Sequence, residues 1–84
     1  MDSRWYKFAE ICQESFSECD FQTQLLSECG GLEDIAWATF YHLGDDALSW
    51  LHRKVPSLNN ELPFTLIQSG RSDEVREALW GFPC

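Results

Sequence analysis

Apolar residues recur at helical spacing along most of this chain, and that period constrains the fold more than any other feature. Trp5, Phe8, Ala9, Cys12, Phe16 and Cys19 stand at i, i+3, i+4, i+7, i+11 and i+14, which draws one apolar stripe along a helix. Lys7, Glu10 and Glu14 lie on the other side, so a first helix is predicted from Ser3 to Glu18. Asp20 suits the cap of a second helix with Phe21, Leu25 and Leu26 turned inward, closed by Gly30-Gly31. Leu32, Ile35, Ala36, Thr39, Phe40 and Leu43 form a third stripe, with Trp37 and Tyr41 on its flank.

Gly44 closes that helix, and Asp45 and Asp46 open a fourth, where acids meet the helix dipole. Its buried face is Ala47, Trp50 and Leu51, and Pro56 stops it. Residues 57–62 read as a loop. Pro63 suits the first position of a short fifth helix carrying Leu66 and Ile67 and ending at Gly70. Ser72 is placed to cap a last helix, with Val75, Ala78 and Leu79 as anchors and Gly81 and Pro83 as terminators. No segment alternates like a strand. The expected fold is all-α, a compact bundle of five to six short helices in a single domain over 1–84, with acidic helices in 1–31 and a further helical segment in 32–84.

A chain of 84 residues forms one domain with a thin stability margin, and its 44% hydrophobic content is too high for disorder. No run reaches the ~20 apolar residues of a membrane span, and the start lacks the basic and apolar segments of a secretion signal. A cytoplasmic location is expected. Cys12, Cys19 and Cys29 are six and more residues apart, with no C-x-x-C pair, and Cys84, at the end, is expected to be loose. The thiols read as small hydrophobes and no metal site is expected.

Charge is divided unevenly. Residues 1–46 carry ten acids and two bases, residues 47–84 four of each, and between Glu10 and Asp46 there are nine acids and no Lys or Arg. Direct nucleic-acid binding is not expected, because a phosphate backbone is held by Lys and Arg. A basic protein surface would be attracted instead. Glu10, Glu14 and Glu18 stand at i, i+4 and i+8, a row with ~6 Å between neighbours on a helix. Such a row imitates a line of phosphates.

The second half has an ordered motif: Ala47-Leu48-x-Trp50-Leu51, Pro56-x-Leu58, Pro63-x-x-Leu66-Ile67-x-Ser69-Gly70, then Glu74-Val75 and Leu79. It resembles the C-terminal toxin-binding domain of the Xre/ParS/MbcA-type antitoxins over residues 33–80. The resemblance implies a helical bundle that binds a RES-domain, NAD-degrading toxin and covers its active-site cleft. Trp50, Leu51 and Leu66 then read as fold-keeping positions, and Arg71 and the last helix as contact positions. Relatives carry a DNA-binding or pseudo-DNA-binding segment where this chain is acidic, so autorepression through DNA is not expected. They also extend the last helix by an R-I-x-x-G-like tail, where this chain reads Leu79-Trp80-Gly81-Phe82-Pro83-Cys84.

Catalysis is not expected. No nucleophile elbow surrounds a serine, no glycine-rich phosphate loop exists, and His42 and His52 read as surface or core-edge residues. A chain this short also struggles to build a pocket of ~300 Å³. No cofactor is expected. Three readings follow: an antitoxin-like inhibitor acting by occlusion, an acidic anti-CRISPR or other phage anti-defence protein that imitates nucleic acid, and a scaffold or homodimer. The candidate partner-binding residues are Glu10, Glu14, Glu18, Trp37, Tyr41, Arg71, Arg76, Trp80 and Phe82.

Overall fold

Among the described residues the apolar stripes close on one another as six α-helices. A computed structural model describes residues 3–82. Its helices are α1 (Ser3–Phe16), α2 (Gln22–Glu28), α3 (Glu33–Leu43), α4 (Ala47–Leu51), α5 (Pro63–Gln68) and α6 (Ser72–Trp80). Two 3-10 turns, Gly44–Asp46 and Pro56–Leu58, join α3 to α4 and shape the connection to α5. Among the described residues the sole strand-like pairing is an isolated antiparallel bridge between Val55 and Glu61. The molecule measures 30 × 26 × 23 Å, and no helix in the described residues is long and apolar enough to cross a membrane.

The most extensive packing is α1 against α3. The α1 stripe buries Trp5, Ala9, Cys12 and Phe16, with Phe8 on the flank. From α3 come Ile35, Ala36, Ala38 and Thr39. Thr39 is a polar residue in this core, and its hydroxyl donates to the Ile35 carbonyl at 2.6 Å, so no group is left unpaired there. The anchors Ala47, Trp50, Leu51, Leu66, Ile67, Val75 and Leu79 are buried as their spacing predicts, whereas Phe21, Leu26 and Ala78 are only half-buried at the core's edge.

Glycine closes α2 and α5 in the same way. Gly31 N–H reaches the Leu26 carbonyl while Gly30 N–H reaches Ser27, and Arg71 N–H reaches Leu66 while Gly70 reaches Ile67. Both are Schellman closures, which need a left-handed residue after the helix. Gly30 at φ 67° and Gly70 at φ 81° supply it.

Four boundaries differ from the sequence expectation. α1 stops at Phe16, two residues short of Glu18, because Glu18 and Cys19 bond back to Ser15 and Phe16 and turn Cys19 into the core. Asp20 does not cap α2; Phe21 holds that position without a side-chain bond. Ser72 is the first residue of α6 and not its cap, and its hydroxyl accepts from Arg76 at 3.3 Å. α4 ends at Leu51, well before Pro56, which instead opens a 3-10 turn. The expectations for Pro83 and Cys84 fall outside the described residues.

Candidate functional site

Helix α6 positions the site. Val75 and Leu79 must face the core, so Trp80, one residue on, is carried to the rim. The buried stripe of α3 likewise turns Tyr41 outward and leaves His42 at the edge. Trp80 is 46% and Tyr41 44% exposed. Phe8, on the flank of α1, joins them, with its ring centroid 5.7 Å from Tyr41, 5.6 Å from Trp80 and 5.6 Å from His42. Phe82 completes the edge, 5.0 Å from His42 and 5.7 Å from Trp50. The edge-to-face pairs among these, Phe8 with Tyr41 and with Trp80 and Phe82 with Trp50, contribute about 0.5–1.5 kcal/mol each beyond the area they bury. The edge is therefore set by ring packing and not by loose surface side chains. Ile11, 65% exposed and one turn from Phe8 on α1, continues the apolar character.

Two hollows flank Phe82. One, of about 200 Å³, is walled by Phe8, His42, Trp80 and Phe82. The other is an open groove of about 450 Å³ lined by residues including Ser57, Asn59, Glu74, Glu77 and Phe82. A groove of this size exceeds the sequence expectation for so short a chain. It forms because the end of α6 passes over the folded 57–60 turn without filling the gap.

His42 is held largely neutral. Burial lowers its pKa, partly offset by a hydrogen bond with the Leu79 backbone. Its Nε2 is buried and has no hydrogen-bond partner among the described residues.

One turn back along α6 the chemistry is internal. Arg76 donates from Nε to Asp34 Oδ2 at 2.6 Å and from Nη1 to Asp73 at 2.8 Å. Trp5 Nε1 donates to the same Asp34 oxygen at 2.8 Å. Burial pushes the Asp34 carboxyl up, but the hydrogen bonds from Arg76 and Trp5 outweigh it and hold the pKa below the ordinary value. Asp34 thus joins α1, α3 and α6 at one point.

The candidate residues separate into groups. Tyr41, Trp80 and Phe82 come together. Trp37 does not join them, being half-buried against the core. Arg76 is a correction: with 9% exposure and its guanidinium committed to Asp34 and Asp73, it is a structural residue and not a free contact. Arg71 is exposed but held by Glu74 at 2.6 Å and Glu61 at 3.4 Å. Glu10 and Glu14 are exposed on α1, whereas Glu18 lies in the turn beyond it, so the straight row of three is not formed. Phe8 and His42 belong to the edge although their spacing marked them as core and core-edge. Asp34 carried no local signal at all.

The described cysteines are buried, and burial, with Glu28 and Asp34 nearby, pushes the Cys29 thiol up to about 12. Such a thiol stays protonated and unreactive near neutral pH. Among the described residues no three His, Cys, Asp or Glu side chains converge as a metal site would require. Comparison with protein-family models, curated proteins and solved structures finds no match for this chain.

Proposed function

We propose that this chain is a non-enzymatic, antitoxin-like inhibitor that neutralises a partner protein by occlusion, the partner being a RES-type NAD-degrading toxin. The observation that carries the reading is the exposed aromatic edge. Trp80, at the end of the helix that the motif resemblance marks for contact, and Tyr41 of α3 are each nearly half exposed and fixed by packing on Phe8 of α1. Rigid aromatics at a rim are the side chains that anchor protein interfaces. The motif residues Trp50, Leu51, Leu58, Pro63, Leu66 and Val75 are buried, in keeping with a fold-keeping role for them.

The test is co-expression with a RES-type enzyme while cellular NAD is measured. The native chain is expected to restore NAD. Tyr41→Ala/Trp80→Ala is expected to lose that protection while keeping the helical circular-dichroism spectrum and a cooperative unfolding transition. NAD loss that continues with excess native protein sinks the reading.

A second reading keeps one observation of its own. Glu10, Glu14, Glu18, Asp20, Glu33, Asp45 and Asp46 are exposed and have no ion-pair partner among the described residues. Their shared field suits a basic, nucleic-acid-binding surface such as that of a bacterial defence complex. Binding of that kind weakens steeply with salt, and Glu10→Gln/Glu14→Gln/Glu18→Gln, which removes three of the seven charges, is expected to weaken it. A triple variant that inhibits as well as the native chain rules the decoy out.

A further inference from the structure

We infer that the end of α6 is a two-socket docking site for a partner segment carrying a basic side chain close to an aromatic or aliphatic one. The inference rests on the aromatic edge being the docking surface, and it adds the chemistry of what that surface accepts.

Phe82 stands between two hollows with different walls. The smaller, about 200 Å³, is lined by three aromatic rings and one imidazole. That volume lies below the ~300–1,000 Å³ of small-molecule sites and suits one large apolar side chain. The larger groove, about 450 Å³, presents Glu74 and Glu77 with Ser57, Asn59 and the Phe82 ring. Glu74 is engaged by Arg71. Glu77 is exposed and has no ion pair among the described residues. Arg71 and Arg76, the bases on or beside this helix, are committed to other carboxylates.

A guanidinium or ammonium group entering the groove meets the Glu77 carboxylate, the oxygens of Ser57 and Asn59, and an aromatic wall capable of cation–π attraction. The net charge of -8 favours approach of such a segment.

The groove is also formed in advance. Its lip is the 57–60 turn, where Asn59 and Asn60 both take left-handed backbone, φ 56° and 62°. Asn tolerates that region better than most residues. The turn is tied by Asn60 N–H to the Val55 carbonyl at 3.0 Å and Val55 N–H to the Glu61 carbonyl at 3.2 Å. A wall fixed before binding spares the partner the ordering entropy of building it. The groove is open rather than enclosed, which suits a chain passing through.

The test is an NMR titration of the isotope-labelled full chain with three blocked peptides: acetyl-Phe-Gly-Arg-amide, acetyl-Phe-Gly-Gly-Arg-amide, and the second with citrulline, the neutral isostere, in place of arginine. Shifts are expected at Glu77, Gly81, Phe82 and the Trp80 indole. Citrulline is expected to weaken binding about three- to fivefold, the size of one partly exposed ion pair. Glu77→Gln should cause the same loss for the arginine peptide and none for the citrulline one. Equal binding of the citrulline peptide and its arginine counterpart, shifts confined to residues 10–20, or no shifts with any of the three peptides at millimolar concentration overturns the inference. A chain that silences the toxin yet ignores the peptides sinks this inference and leaves the occlusion reading standing. Peptides that bind here while the toxin is untouched support the sockets and refute the toxin as partner.

Discussion

Arg76 and Trp80 sit one turn apart on α6, and their fates differ. Arg76 faces the start of α3, finds Asp34, and is drawn into the interior. Trp80 reaches past the end of the core, packs one side on Trp5 and Phe8, and keeps the other in solvent. A charge near the middle of the helix is stabilised only by an internal partner, because a buried unpaired ion is costly. An aromatic ring at the rim is stable half-covered, because apolar burial accrues with area and needs no single partner. The inner half of α6 therefore holds the bundle together, and the outer half leaves an aromatic ring partly in solvent.

Five changes would break or sharpen that division. The largest effect is expected from Asp34→Ala, which removes the buried partner of Arg76, leaving the guanidinium with the exposed Asp73, and removes the Trp5 acceptor. Loss of one partner of a buried pair costs about 3–5 kcal/mol, readable as a lower urea midpoint; a change below about 1 kcal/mol means the pair contributes little. Trp5→Phe keeps most of the ring and deletes one donor to a carboxylate. A loss of about 1.5–3 kcal/mol is expected, and combined with Asp34→Ala the two should be far from additive. Gly70→Ala meets no neighbour within 4 Å, so its cost is conformational alone, about 1–2 kcal/mol for a left-handed residue with a Cβ. An unchanged melting temperature would mean that the Schellman turn does not hold the start of α6.

pH separates the two halves. The lowered His42 pKa means the unfolded chain takes up a proton first, near 6.5, so stability is complete above that value and declines as pH falls toward the folded pKa. The lowered Asp34 pKa acts in a second window: its contribution is complete above 3.8 and is lost as pH falls through the folded value. His42→Gln is expected to remove the upper decline and leave the lower one. Persistence of both steps in that variant would assign the upper one to another group. Trp80→Ala removes the edge-to-face pairs with Trp5 and Phe8 from a half-exposed ring, so a loss of about 1–3 kcal/mol is expected. Its effect on partner affinity should be the largest of the five, and surface plasmon resonance against the partner would show whether the order reverses.

Much of the bundle was legible beforehand, because a helix writes its buried face into the sequence at a 3.6-residue period. Trp5, Cys12, Ile35, Leu51, Leu66 and Leu79 all fall on predicted stripes and all are fully covered. Helix ends were less legible. Asp20 and Ser72 have the chemistry of caps, yet each stands one residue off the cap position, which Phe21 takes in α2 and Arg71 in α6. The site was legible only in part. Tyr41, Trp80 and Phe82 stood out as aromatics off the main stripes, whereas Arg76 was misplaced because its spacing resembles that of an exposed cation.

Helix number, helix class, the buried stripes and the acidic bias of the first half are properties of neighbouring residues, and the sequence alone determined them. Which side chains meet was decided by the tertiary structure. Asp34 lies 29 residues from Trp5 and 42 from Arg76, and no local period encodes pairings at that range. They arise when α1 packs across α3 and α6 docks beside both, and that same packing converts one helix face into an anchor at Arg76 and an open edge at Trp80.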